Sequence, residues 1–402
     1  MKKKLRIGLL LQIVIAIALG IATGYVMPVW AARIFATFNI IFSQFLQFLV
    51  PLIIVGFVTP AIADIGNKAG KVLVVTALIA YVATFCSGIL SYFTGVLTFP
   101  ELITPRSLTT AIESGHDLSP YFAIEIPPIF GVMTALVLAF MLGIGIAYSR
   151  GTVLRNAAAE FRDIVAMTIR VTIIPLLPVY IFGIFLNMTM AGEVGGIVAA
   201  FIKIIAVIFA LAAVLLIIQY CIAALFVKRN PFKLLYTMLP AYFTALGTQS
   251  SAATIPVTLR QAIKMGVSED IAGFVIPLCA TIHMSGSTLK IVACALALMI
   301  MHGMPYDFAM FAGFIAMLGI TIIAAPGVPG GAIMASLGLL ASILGFTEKD
   351  QALMIALYIA MDSFGTACNV TGDGFIALVI DKYFGKRDKY DDVKIDEELI
   401  GK

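Results

Sequence analysis

Charge is scarce in this chain. Asp, Glu, Lys and Arg make up 12% of its 402 residues, about half the share of a soluble globular domain. That scarcity excludes a water-exposed domain over most of the length, and with it a nucleic-acid-binding surface. Histidine occurs 3 times. His116 and His302 fall in or beside loops, which leaves His283 as the one inside an apolar segment. The 5 cysteines, Cys86, Cys221, Cys279, Cys294 and Cys368, lie in apolar segments with no CxxC spacing. They are read as packing thiols, not as metal ligands or bridges. A cleavable leader is missing too. The start, MKKKLRIGLLLQIVIAIALGIATGYV, has a basic head, but its apolar run is too long for a signal core and lacks a small-residue cleavage site. It is read as a first transmembrane helix.

What the chain does have is apolar sequence, 61% of its residues, with a mean hydropathy of +1.07. Eight segments, at 8–31, 36–64, 72–99, 124–148, 163–190, 196–227, 271–301 and 351–384, each reach the ~20 residues that cross a bilayer. The predicted fold is an all-α polytopic membrane protein. With both termini cytoplasmic, nearly all Lys and Arg fall inside. Only Arg33, Arg106 and Lys349 remain in outer loops, with Lys203 near an outer end, a strong positive-inside pattern.

Two further segments, 231–260 and 309–346, do not fit a single crossing. Each has a polar or Gly/Pro-rich middle between apolar arms, and each begins and ends on one side. They are predicted as re-entrant hairpins, the first entering from inside and the second from outside. Irregular backbone at depth survives only when it is buried in protein or lines a wet cavity. Each hairpin precedes a helix with an expected interruption, at Thr281–Ser287 (TIHMSGS) and at Asn369–Gly374 (NVTGDG). Interrupted segments in matching positions of an inverted repeat point to a midplane substrate site.

The stretch 360–374, AMDSFGTACNVTGDG, carries Asp362, Thr366, Asn369 and Asp373. At about 100° per residue these four fall within roughly 60° on one helix face. Carboxylates in lipid cost about 2.5–3.5 kcal/mol each on insertion scales, so the stripe must face protein, water or an ion. Asp362 is placed to meet an ammonium, while Asn369 and Asp373 offer oxygens that suit a hard cation such as Na⁺. At the first hairpin tip, Thr248, Gln249, Ser250, Ser251 and Thr254 precede Pro256. The N–H groups there are placed to hold a carboxylate as helix N-termini do, or the tip is a polar turn satisfying itself. The glycines of the second tip, 326–331 (PGVPGG), allow close backbone approach. His283, Ser285 and Ser287 sit in the helix-seven break, His283 being read first as a hydrogen-bonded packing residue. Lys290, nominally deep in the same span, either snorkels outward or needs an anionic partner. A hydrolase built on Ser285 and His283 is set aside, because residues two apart on a helix point about 200° from one another. The chain is not expected to be an enzyme.

Together these motifs resemble the glutamate-transporter-like dicarboxylate/amino acid:cation symporter family over essentially the whole chain. The most specific strings are SSAATIPVTL (250–259), GVPGGAIM (327–334) and NVTGDG (369–374), with QFLVPLIIVGFVTPAIADIG in the second helix. The resemblance implies a homotrimer with elevator-type alternating access. Residues 1–71 and 124–195 would hold the scaffold helices, 72–123 helix three of the transport domain and an outer loop, 196–384 the rest of the transport domain, and 385–402 a cytoplasmic tail. It implies a substrate site at Ser250, Ser251, Met284, Ser287, Val328, Pro329, Gly330, Asp362, Gly365, Thr366 and Asn369, and Na⁺ contacts at Thr281, Cys279, Asn369 and Asp373. No cofactor is expected beyond Na⁺ or H⁺ as coupling ion, and the setting would be a bacterial-type plasma membrane.

Two departures matter. Acidic-substrate members carry an Arg three residues after the helix-eight Asp, whereas Gly365 stands here. A neutral amino acid is therefore expected, with room at the glycine for a bulkier side chain. A small monocarboxylate transporter or a channel-like member is the alternative. Second, the family's Asn-Met-Asp of helix seven is replaced by His283-Met284-Ser285, and its helix-three partners, a Tyr and a Thr-Ser pair, align with Thr76, Ile79 and Ala80. One Na⁺ site is then expected to be absent, with Lys290 or His283 supplying the positive charge instead.

Overall fold

Apolar runs bounded by Gly, Pro and polar residues become helices. Among the described residues, which are 9–67, 71–103, 119–149, 151–192, 194–323 and 330–385 of a computed structural model, the only regular structure is helical. The chain opens with α1 (Leu9–Gly24), α2 (Val29–Asn67), α3 (Lys71–Leu102) and α4 (Val132–Tyr148). A continuous rod follows, made of α5 (Val153–Thr168), a π turn (Ile169–Ile173) and α6 (Ile174–Met190). Pro175 and Pro178 explain the π turn, since a proline removes one ladder donor and crowds the preceding turn. Among the described residues, six helical stretches are long and apolar enough to cross a membrane, at 29–60, 71–102, 153–190, 200–227, 269–301 and 362–384. The first and fourth expected spans form shorter apolar helices, at 11–24 and 134–148.

After α7 (Val194–Val227) come the two expected hairpins. The first is α8 (Pro231–Thr248) and α9 (Ser251–Lys264), turned by Gln249 in the left-handed region and Ser250. The second pairs α12 (Phe308–Ile323) with α13 (Gly331–Leu344). Its tip at 324–329, with Val328 and Pro329, lies outside the described residues. Helix seven is α10 (Glu269–Ile282) and α11 (Ser285–Met301), broken at His283 and Met284 as expected.

Helix eight breaks elsewhere than expected. Its halves are α14 (Glu348–Ala360) and α15 (Asp362–Phe384), with Met361 between them. NVTGDG runs uninterrupted inside α15. Its glycines are not breakers but accommodations. A Cβ on Gly374 would stand 2.7 Å from the Tyr220 hydroxyl oxygen, and one on Gly372 would stand 2.9 Å from Gln219 Oε1. The helix cost of a glycine, about 1 kcal/mol, is exchanged for close packing of α7 and of the first hairpin, whose Met238 also meets Gly374.

α1 packs on α6, α2 on α4 and α5, and α3 on α11. α15 is surrounded by α7, α8, α9, α10 and α11. That enclosure explains why α15 is buried from Thr366 to Ile380 although Asp373 lies in that stretch. At the N-terminal end of α14, Thr347 and Asp350 form a capping box, and His302 Nδ1 lies 2.9 Å from Asp350 Oδ1. Burial raises the Asp350 carboxyl, but hydrogen bonds from His302 and Thr347 outweigh it and hold the group below its usual range.

Candidate functional site

The break in helix eight puts two opposite helix ends side by side. The last carbonyls of α14 form a negative end, and the first N–H groups of α15 form a positive one. Asp362 occupies the first turn of α15 and is 5% exposed. Its Oδ2 accepts a 2.8 Å hydrogen bond from the Gly330 N–H, at the start of α13. Gly330 holds φ +77° there, a left-handed conformation that glycine adopts without a Cβ penalty. The second hairpin is thus tied directly to Asp362.

Lys290 supplies the opposite charge. It enters from α11, is 2% exposed, and brings Nζ to 3.6 Å from Asp362 Oδ1. The same ammonium donates to the Met361 carbonyl at 3.2 Å, and lies 3.8 Å from the centre of the Tyr358 ring, a cation–π contact. Lys290 therefore does not snorkel. It needed an anionic partner, and Asp362 is that partner. The room beneath it is made by Gly365, where an added Cβ would collide with Lys290 Cε and Nζ. The space expected to admit a bulkier substrate side chain is filled from within. A cation does stand beside Gly365, supplied by Lys290 of α11 and not by an arginine of α15.

Asn369, one turn below, closes the break in helix seven. Its Oδ1 accepts from the Gly286 and Ser287 N–H groups at 2.8 and 3.3 Å, capping α11 from outside. Its Nδ2 donates to Ser287 Oγ at 3.0 Å and to Met284 Sδ at 3.5 Å. Ser287 also accepts from the Tyr358 hydroxyl at 3.1 Å. These bonds link Asn369 to the residue that covers Lys290. The crossing is close because Gly286 faces the Gly365 carbonyl, with only 2.7 Å available to a Cβ. Thr366 donates to the Asp362 carbonyl of its own helix at 3.0 Å.

At the lower end of the stripe, His283 Nδ1 lies 3.0 Å from Asp373 Oδ1, and both side chains are buried. Among the described residues, His283 Nε2, Asp373 Oδ2, Gln219 Oε1 and Thr371 Oγ1 are buried without a hydrogen-bond partner, although buried polar atoms are seldom left unpaired. His283 and Gln219 meet at Gly372, whereas Thr371 and Asp373, two apart on one helix, point about 200° from one another. Of the expected Na⁺ contacts, Asp373 is the one that brings such an atom. Thr281 is exposed and donates to the Leu278 carbonyl of its own helix at 2.7 Å. Asn369 is committed to α11. Cys279 is buried in the cluster around the first hairpin.

The first hairpin tip satisfies much of its own polarity. Ser250 Oγ accepts from the Ala253 N–H at 3.3 Å, and Thr254 donates to the Ser250 carbonyl at 2.8 Å. Ser250 and Ser251 are half-buried. A cavity of about 510 Å³ lies apart from all of these residues, between α2 and α13, and its lining includes Gln47, Phe130, Leu337 and Glu348.

A polar stripe on a buried helix, met by a hairpin N-terminus and a broken helix, is the arrangement of a membrane carrier. The family model of the sodium:dicarboxylate symporter family matches residues 9–383. The chain belongs to this family. It is a multi-pass membrane transporter of small molecules, and its family is one of transporters, not enzymes.

The helix-three residues that bond the helix-seven break are other than Thr76, Ile79 and Ala80. Thr76 bonds the Val72 carbonyl of its own helix, at 2.7 Å, and Ala80 is packed in the cluster around the first hairpin. The residues facing the helix-seven break lie further along. Thr84 Oγ1 accepts from the Met284 N–H at 3.2 Å, and Ser87 donates to the Ser285 carbonyl at 2.8 Å. Tyr81 donates to the Ala316 carbonyl of α12 at 3.1 Å. Ser285, which stands where the resemblance puts a carboxylate, accepts at Oγ from Gln219 at 3.3 Å. The signal that points to this contact face is the run Thr84, Ser87, Gly88, Ser91 and Gly95, small or polar residues on one face of α3.

Proposed function

We propose that this transporter is a symporter of a neutral, zwitterionic amino acid, working by elevator-type alternating access within a homotrimer. The observation that carries the substrate class is the pairing of Asp362 with Lys290. The protein itself places one negative and one positive charge in the site. A zwitterion adds one of each, so all four charges find partners, with the ammonium on Asp362. An acidic amino acid leaves one negative charge over, and a buried unpaired charge is heavily penalised. A small monocarboxylate ranks second. Its carboxylate would draw Lys290 away and leave Asp362 with hydrogen bonds but no cation.

The coupling ion is assigned to the Asp373 end, where Asp373 Oδ2 is unpartnered and Gln219 Oε1, also unpartnered, meets the neighbouring Gly372. Oxygen atoms suit Na⁺. With Ser285 in place of the family carboxylate and His283 against Asp373, coupling uses fewer Na⁺ ions or H⁺. The termini are assigned to the cytoplasm of a bacterial-type cell, in keeping with the Lys and Arg distribution. The test is a thermal-shift screen of purified protein against neutral amino acids, glutamate, aspartate and small monocarboxylates, with and without Na⁺ at two pH values. A ligand at 100 times its Kd stabilises by about 2.7 kcal/mol, so the substrate and its ion appear together. Neutral amino acids are expected to give the largest shift. Preference for glutamate or aspartate would reject the assignment.

A further inference from the structure

We propose that Lys290 is a tethered counter-ion that takes the substrate's place on Asp362 whenever the site is empty. It lets the unloaded carrier close and return with its charges paired. The inference rests on Asp362 as the amine site.

Three observations carry it. Both oxygens of Asp362 have partners from the chain itself, with Lys290 Nζ 3.6 Å from Oδ1 and the Gly330 N–H 2.8 Å from Oδ2. The second hairpin is therefore drawn onto a carboxylate that is already neutralised. Next, Lys290 has somewhere to go. At 3.6 Å its ammonium is paired with Asp362 beyond hydrogen-bond length, while the Met361 carbonyl at 3.2 Å and the Tyr358 ring at 3.8 Å hold it from other directions. An incoming ammonium can replace it on Oδ1 without stranding it. Finally, the position is built for this stem. Gly365 has no Cβ to block it, and the Tyr358 hydroxyl is fixed to Ser287. A carrier whose only partner for Asp362 came from outside would need a substrate or another cation on every return. This chain brings its own.

The experiment uses full-length protein in proteoliposomes. The probe is radiolabelled L-serine, L-alanine or L-leucine, whichever stabilises the wild type most. Net uptake into liposomes holding only N-methylglucamine salts should stay within twofold of uptake into liposomes holding K⁺ or Na⁺. A tenfold dependence on an internal inorganic cation would overturn the proposal with no variant needed. In Lys290→Met, and in Lys290→Gln, which keeps a donor for the Met361 carbonyl, the ratio of net uptake to exchange should fall at least tenfold. Loaded carriers still neutralise Asp362, whereas empty ones do not. A merely structural Lys290 would lower both rates together, and an unchanged ratio would refute the idea. If none of the three probes stabilises the wild type, the substrate reading itself is what fails, and the proposal falls with it.

Discussion

Asp362→Asn is expected to abolish amino-acid binding, with a loss of affinity on the order of a hundredfold or more, and to unfold at a markedly lower temperature. Both effects have one cause. The carboxylate is the group that receives the substrate ammonium, and truncating one partner of a buried, hydrogen-bonded charge pair costs about 2–5 kcal/mol. In the empty protein the same change leaves Lys290 buried without its anion, a destabilisation of about 3–5 kcal/mol. The two effects separate in the double variant. Asp362→Asn with Lys290→Met removes both charges and should recover most of the lost stability, because an uncharged pair needs no compensation. It should recover no binding. Thermal unfolding and isothermal titration on the two single variants and the double variant complete the cycle. Additive stabilities would contradict the pairing of Lys290 with Asp362. Residual tight binding in Asp362→Asn would remove Asp362 from the amine site.

The second large effect concerns Gly365. On the wild-type background any side chain there meets Lys290 Cε and Nζ, so Gly365→Ala should cost about 1–3 kcal/mol by overpacking. The cost should largely vanish in Lys290→Ala, which empties the space. That background also permits Gly365→Arg, moving the site's cation from helix seven to helix eight. A guanidinium on a long stem can bind a carboxylate through two parallel hydrogen bonds, which a lysine ammonium held against Tyr358 cannot. Lys290→Ala/Gly365→Arg is expected to shift preference toward glutamate or aspartate at least tenfold relative to the best neutral amino acid, read by competition in a binding assay. A double variant that folds and keeps the wild-type preference would mean that the charge at this position does not set specificity.

Much of this site is readable in the sequence. Asp362, Thr366, Asn369 and Asp373 stand at helical spacing in an apolar run, and one continuous helix does carry them. The two hairpins and the break at His283 also follow from polar centres flanked by apolar arms. What periodicity could not supply was which neighbour each polar group meets. The glycines of NVTGDG look like a break, because glycine's helix cost is a local property. Their use lies in side chains from α7 and from the first hairpin. Helix three offers little local signal, because short apolar strings align almost equally well at several offsets. Thr84 and Ser87 are singled out only by what they bond across the helix interface. Lys290 and Gly365 are 75 positions apart in the chain, and each is odd for a membrane carrier when taken singly. Packing makes them one feature, a missing side chain on one helix and a long cationic one on its neighbour.

The most direct measurement is a structure of the full-length protein with the neutral amino acid that stabilises it most. The ligand ammonium should lie within hydrogen-bond distance of Asp362, with Lys290 Nζ withdrawn from its 3.6 Å separation, held by the Met361 carbonyl and the Tyr358 ring and facing the ligand carboxylate. A ligand bound with the Lys290–Asp362 pair intact and its ammonium on some other group would contradict the exchange of charges at the centre of this mechanism.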